Sequence, residues 1–123
     1  MSNTQHTNKF LINAQYGKDD VEKATISFIL AASASKESEA VVFVTAAATY
    51  LCAKGGANGV VYEGAEPIKD LMDQFVSNGG RIWVCPICAK LKGITADDLI
   101  EGAEIAGAPK SMAFLANGGK VLA

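Results

Sequence analysis

The run Ala40-Val41-Val42-Phe43-Val44 contains five consecutive apolar residues, with no polar residue between them. Continuous apolar runs of this kind are typical of strands that are buried on both faces, as in parallel sheets covered by helices. Other short runs predict four further strands, at Phe10–Ile12, Val60–Tyr62, Arg81–Val84 and Lys120–Leu122. We therefore expect a mostly parallel five-stranded sheet.

Helical patterns separate these predicted strands. Asp19 and Asp20 lie where negative charge favours the start of a helix, and apolar residues at positions 21, 24, 28, 31 and 32 then form one face. Pro67 opens another helix, in which apolar residues recur at the i, i+3, i+4 and i+7 positions. Further helices are predicted from about Thr45 to Lys54, from a Thr95/Asp98 capping box to about Ala106, and from Pro109 to Leu115.

Strands that alternate with helices predict right-handed βαβ crossovers and a three-layer α/β/α sandwich. The length of 123 residues fits a single domain, residues 1–123, in which residues 1–8 are expected to form a flexible tail. Functional sites in open sheets of this type form beyond the carboxyl ends of the strands. The residues that follow the predicted strands are Gln15-Tyr16-Gly17, Thr45-Ala46, Glu63-Gly64 and Cys85-Pro86.

The charge balance, the apolar runs and the cysteine count indicate which partners and which compartment to expect. Eleven Lys and Arg residues stand against 13 Asp and Glu residues, so the chain lacks the basic excess of nucleic-acid-binding proteins, and we expect no direct nucleic-acid partner. The N-terminus has no apolar segment like that of a signal peptide, and no apolar run is long enough to cross a membrane, so we expect no membrane association. Three cysteines, an odd number, indicate a reducing compartment and a cytoplasmic location.

The motif Cys85-Pro86-Ile87-Cys88 carries the clearest chemistry in the chain. Cys85 ends a predicted strand, and Pro86 is expected to open a short helix that runs to about Leu91. Unpaired N–H groups at a helix start stabilise a thiolate, which makes Cys85 the expected nucleophile. Cys88 lies one turn further on, the spacing that a resolving thiol needs to attack a disulfide or persulfide at Cys85.

Three other interpretations of this motif stay open. It could be half of a metal site, but only Cys52 and His6 remain to complete a set of four ligands, so a second subunit would have to contribute. It could be a thioredoxin-type redox motif, although it follows a late strand, or a pair of buried cysteines without chemistry. Cys52, in the middle of an Ala-rich helix, is expected to be buried. No phosphate-binding glycine motif occurs, and we expect neither a cofactor nor a resident metal.

Several segments, in the same order along the chain, resemble the DsrE/DsrF-like sulfur-relay family. Gly17–Asp20 with the Ala-rich helix that follows resembles the opening loop and first helix of that family. Gly79–Cys85 resembles the strand that leads to its active cysteine, while Lys92–Ile94 and Asp98–Ala103 resemble the stretch and the helix that come next. The resemblance covers nearly all of the chain after residue 9.

This resemblance implies a five-stranded α/β/α domain that assembles into dimers, trimers or hexamers. It further implies that Cys85 accepts sulfane sulfur as a persulfide from a donor protein and passes it to an acceptor protein, in the manner of a sulfurtransferase. Cys88 departs from the single thiol common in the family and would be a second or resolving thiol. Lys90 and Lys92 also stand where arginines are common. The alternatives are a non-catalytic oligomeric protein-binding module and a metal-binding module that uses the CPIC pair.

Ile26 and Leu30 lie four residues apart on the side of the first helix opposite its main apolar face. They are either incidental surface residues or part of a second buried stripe. The second interpretation predicts an oligomer contact on this helix.

Overall fold

A computed structural model of the protein describes residues 8–123. Its sheet has five strands, all parallel: β1 (Lys9–Ala14), β2 (Glu39–Val44), β3 (Arg81–Val84), β4 (Ala103–Ile105) and β5 (Gly119–Leu122). The strands lie in the order β4-β3-β2-β1-β5, and β2 pairs in register with both β1 and β3. The apolar run at 40–44 therefore forms the central strand of an α/β fold, as expected.

Four α-helices connect the strands. They are α1 (Val21–Ser35), α2 (Ile68–Ser77), α3 (Pro86–Leu91) and α4 (Ala108–Ala116). The Asp20 carboxylate caps α1 by accepting a hydrogen bond from the Lys23 amide at 3.1 Å, as the acidic pair predicts. The described residues also contain two short 3-10 helices, Ala46–Cys52 and Ala96–Asp98. Within residues 8–123, no helix is long and apolar enough to cross a membrane.

The two faces of the sheet are covered unequally. Helices α1, α2 and α3 pack on one face, where they form the larger core with Ile12, Val42 and Ile82. Helix α4 covers the other face, where Phe114 packs edge-on against Trp83 with ring centroids 5.8 Å apart. The result is a three-layer sandwich whose second helical layer is a single helix of nine residues.

The prediction of a strand at Val60–Tyr62 is wrong. These residues have no regular secondary structure, and a turn follows them, in which the Ala65 amide donates to the Tyr62 carbonyl oxygen at 2.9 Å. Val60 is buried, but Val61 is 49% exposed, so the run is apolar without being enclosed. The fifth strand of the sheet is instead β4, which pairs with β3.

The prediction of a helix from Thr95 to about Ala106 is also wrong beyond its first turn. The Thr95/Asp98 capping box forms, but the helix that it starts ends at Asp98. Leu99 then pairs with Ala53 in an antiparallel bridge, and Ala103–Ile105 pairs with β3 as an edge strand. Likewise, the segment predicted as a helix from Thr45 to Lys54 is a 3-10 helix that ends at Cys52. The proposed tail lies outside the described residues, apart from Asn8.

Candidate dithiol site

Cys85 lies at the junction between β3 and α3, at the carboxyl edge of the sheet. Its amide continues the ladder by donating to the Val44 carbonyl oxygen at 2.9 Å, and its own carbonyl oxygen accepts from the Ala89 amide at 3.0 Å. Pro86 takes the first helical position, where the missing N–H is no loss. The residue is therefore held by strand hydrogen bonds on one side and by a helical hydrogen bond on the other, and it is half-buried.

Cys88 is held from the neighbouring strand. The backbone amide of Ala46, two residues beyond β2, donates a hydrogen bond to Cys88 Sγ at 3.3 Å. Ala46 has a φ of 51°, a left-handed conformation that a residue with a Cβ seldom adopts. This conformation belongs to the turn that directs the amide at the sulfur.

The turns that follow β1 and β2 pack tightly against each other. A Cβ on Gly17 would lie 2.5 Å from the Ala47 carbonyl oxygen, so only glycine fits at this position. The Gly17 amide donates to the Asp19 carboxylate at 2.8 Å, which holds the first turn in place. The ends of β1, β2 and β3 thus form one continuous rim around the two thiols.

The electrostatics of the site favour ionisation of Cys85. Burial raises the pKa of its thiol, but the backbone N–H of Cys88, the Cys88 S–H and the backbone N–H of Ile87 together outweigh this and hold the pKa below its usual value. Of the two thiols, Cys85 is therefore the one whose ionisation its surroundings favour.

Cys52 lies apart from this pair and is fully buried, as expected. Burial raises the pKa of its thiol to about 12, which keeps it protonated at neutral pH. Its S–H faces the Ala48 carbonyl oxygen at 3.9 Å, within its own 3-10 helix. Cys52 therefore has a structural role in the core.

A cleft of about 480 Å³ lies on the same rim, bounded by Lys18, Ala47 and Tyr50. Neither Cys85 nor Cys88 lines it. Lys92, which ends α3, places its ammonium 5.5 Å from the centre of the Tyr50 ring and so joins the dithiol helix to the wall of the cleft. In residues 8–123, no three His, Cys, Asp or Glu side chains lie together as metal ligands.

Three of the four segments that were predicted to follow strands do so in the structure. Cys85, Ala46 and Gly17 meet at one edge, whereas Glu63-Gly64 follows no strand and lies in a turn. The role of the Ala46 amide was missed. The sequence places Ala46 after a predicted strand, but alanine, unlike glycine or asparagine, does not predict a left-handed backbone.

The fold and the dithiol define a class of protein, a small α/β domain with a paired thiol at the end of a parallel strand. The chain belongs to the DsrE/DsrF-like family, whose model matches residues 8–123.

Relatives of known structure share the fold. The crystal structure of the ychN protein from E. coli is similar with a TM-score of 0.75 at 20% identity, over 94% of this chain and 98% of that one. The protein MTH1491 from Methanobacterium thermoautotrophicum is similar with a TM-score of 0.64 at 12% identity, over 96% and 98%. At these identities the likeness establishes the fold alone.

A relative of higher identity is longer than this chain. The chain is 34% identical over 107 residues to the uncharacterized protein MJ0760 from Methanocaldococcus jannaschii. The match covers 86% of this chain but 38% of that protein. The chain thus spans well under half of the length of this relative.

Proposed function

We propose that this protein is a small sulfur carrier of the sulfurtransferase type, which accepts sulfane sulfur as a persulfide on Cys85. The observation that carries the proposal is the position of Cys85 at the junction of β3 and α3, one helical turn before Cys88. Burial raises the pKa of the Cys85 thiol, but the Cys88 and Ile87 backbone N–H groups and the Cys88 S–H hold it below its usual value. These donors stabilise the thiolate that must attack, and later the same thiolate as it leaves. Membership of the DsrE/DsrF-like family supports this reading.

The proposed transfer needs no external oxidant or reductant. The Cys85 thiolate attacks the outer sulfur of a donor persulfide, and a new S–S bond forms while the S–S bond of the donor breaks. The donor leaves as a thiolate with the electron pair of the broken bond. An acceptor thiolate then attacks the outer sulfur on Cys85 and releases the Cys85 thiolate again.

The surroundings of the thiols favour protein partners as donor and acceptor. Ile87 is 68% exposed and Leu91 is 79% exposed, and both lie on α3 beside the thiols. Apolar side chains exposed together next to reactive groups are typical of a docking surface. We place the carrier in a reducing compartment, the cytoplasm, where its three free cysteines stay reduced.

Self-association is part of the same proposal. Of the two residues of the expected second stripe on α1, Ile26 is exposed and Leu30 is half-buried, and the neighbouring Ile29 is also exposed. Analytical ultracentrifugation tests this point, with Ile26→Lys expected to lower the mass of the assembly. An unchanged mass for this variant would exclude this face as the contact.

Cyanolysis, which converts sulfane sulfur into thiocyanate, tests the carrier proposal. After incubation with a polysulfide and gel filtration, the Cys88→Ser variant should yield one thiocyanate per chain, and the additional change Cys85→Ser should abolish it. Cys52→Ala, introduced into the Cys88→Ser background, is the matched control and should keep the yield, because Cys52 is buried and protonated. An equal yield after Cys85→Ser would overturn the assignment.

The second candidate is a non-catalytic protein-binding module, which the exposed Ile87 and Leu91 side chains also favour. In that case partner binding would survive Cys85→Ser and would be lost with Leu91→Glu. The carrier proposal predicts that sulfur transfer is lost with both variants when the donor is a protein persulfide.

A further inference from the structure

Two parts of the chain fix the position of Cys88. Its sulfur accepts a hydrogen bond from the Ala46 amide at 3.3 Å, and α3 places it one helical turn after Cys85. The Ala46 amide reaches this position because the backbone of Ala46 is left-handed, a conformation that is unfavourable for any residue with a Cβ. Strained backbone of this kind persists where the surrounding structure requires it, and at this rim it serves the second thiol.

We propose that Cys88, positioned by the Ala46 amide, attacks the Cys85 persulfide and releases its outer sulfur as sulfide. The inference rests on the proposed function, because it begins from sulfur bound to Cys85. It adds an activity to the carrier: sulfur that is not collected by an acceptor leaves as sulfide, and a Cys85–Cys88 disulfide remains.

The step balances in atoms and electrons. The Cys88 thiolate attacks the inner sulfur of the persulfide, which is the sulfur of Cys85, and a Cys85–Cys88 bond forms. The bond between the inner and outer sulfurs breaks, and the outer sulfur leaves as HS⁻ with the electron pair. The sulfane sulfur is thereby reduced to sulfide, while the two thiols are oxidised to a disulfide. The proton of the Cys88 thiol passes to solvent or to the sulfide, and a dithiol reductant of the compartment restores the protein.

The geometry assigns this step to Cys88 and not to Cys52. Cys88 lies on α3 three residues after Cys85, the N-cap of this helix, and so one helical turn away from it. An N–H that points at Cys88 Sγ stabilises the charge which that sulfur must carry when it attacks. Cys52 is fully buried.

Sulfide release in a single turnover tests the proposal. The wild-type protein receives one equivalent of polysulfide sulfur without reductant, and released sulfide is trapped with a bimane reagent while intact mass is recorded. Loading from polysulfide itself leaves sulfide, so we expect one further sulfide per chain beyond that measured with Cys88→Ser, and a chain lighter by two hydrogens. Cys88→Ser should instead retain a mass gain of one sulfur and release this further sulfide at least tenfold more slowly.

The failures of the two proposals are distinguishable. A Cys88→Ser protein that gains no sulfur overturns the carrier function itself. A wild-type protein that keeps its extra sulfur as stably as Cys88→Ser overturns the discharge by Cys88 and leaves the carrier function intact.

The role of Ala46 is tested by removing its N–H. Semisynthesis can place lactic acid at position 46, so that an ester oxygen replaces the amide. Sulfide release should slow about fivefold, the rate equivalent of one ordinary hydrogen bond. Lactic acid at position 48 is the matched control, because the Ala48 amide donates to the Thr45 carbonyl oxygen in the same turn and not to sulfur. Equal release rates for the two esters would overturn the positioning role of Ala46.

Discussion

Replacing Ala46 with glycine should stabilise the protein or leave it unchanged, although glycine usually destabilises. The left-handed conformation of Ala46 costs about 1–2 kcal/mol for a residue with a Cβ. Glycine removes this cost but adds about 0.5–1 kcal/mol, because it loses more backbone freedom on folding. Ala46 is exposed, so loss of its methyl group gives up little burial. The net change in the free energy of unfolding is about 0 to +1.5 kcal/mol.

Ala47→Gly is the matched comparison, because Ala47 adjoins Ala46 in the same 3-10 helix but does not have a positive φ. Its free energy of unfolding should fall by about 0.5–1 kcal/mol. Urea denaturation followed by circular dichroism measures both variants, and their free energies of unfolding should differ by about 0.5–2.5 kcal/mol. If Ala46→Gly loses as much stability as Ala47→Gly, Ala46 is not held in a left-handed conformation and the reasoning about its amide fails.

Three further predictions concern the thiol pair, the second face of the sheet and the capping box. Cys88→Ala removes an S–H that lowers the pKa of Cys85, so the pH profile of Cys85 alkylation by iodoacetamide should move to higher pH; Cys88→Ser, which keeps a donor, should move it less. Phe114→Ala should lower the free energy of unfolding by about 3–5 kcal/mol, measured in urea by the fluorescence of the single Trp83, because Phe114 packs on that ring; a loss below about 1 kcal/mol would contradict this. The Thr95 amide and hydroxyl lower the pKa of Asp98, so its contribution to stability is present above its unfolded pKa and is lost as the pH falls through its folded pKa; Asp98→Asn should remove this part of the acid dependence of urea unfolding.

The central part of the fold could be predicted because its sequence pattern and its environment agree. The apolar run at 40–44 lies between α1 and α2 on one face and α4 on the other, and all of it except the half-buried Phe43 is buried. The i, i+3, i+4 pattern of α2 matches a helix with one buried face. The edge strand β4 could not be predicted in this way. Ala103–Ile105 has no β-rich composition, and it becomes a strand only because the edge of β3 is free to pair with it.

The misassigned strand shows the converse effect. Val60-Val61-Tyr62 has strand-like composition, but it pairs with no strand, and the strand next to β3 is β4. The helix predicted after Thr95 stops after one turn, because Leu99 pairs with Ala53 and Gly102 adopts a φ of 88°. In both cases tertiary pairing decides between conformations that local sequence leaves open.

The thiols of the candidate site could be located from the sequence, but their environment could not. The CPIC motif at a strand-to-helix junction was readable from residue types and from spacing. The contact between Cys88 and Ala46 joins residues 42 positions apart, and it depends on a left-handed backbone conformation that an alanine does not predict. The same holds for the close approach of Gly17 to Ala47, which requires the packing of two turns.

Location of the bound sulfur tests the central claim most directly. The Cys88→Ser protein is incubated with limiting polysulfide, blocked with an alkylating reagent, digested and analysed by tandem mass spectrometry. The account predicts one additional sulfur atom on the peptide that carries Cys85, and its loss after treatment with a dithiol. Additional sulfur on Cys52, or none on the Cys85 peptide, would contradict the claim that Cys85 carries sulfane sulfur.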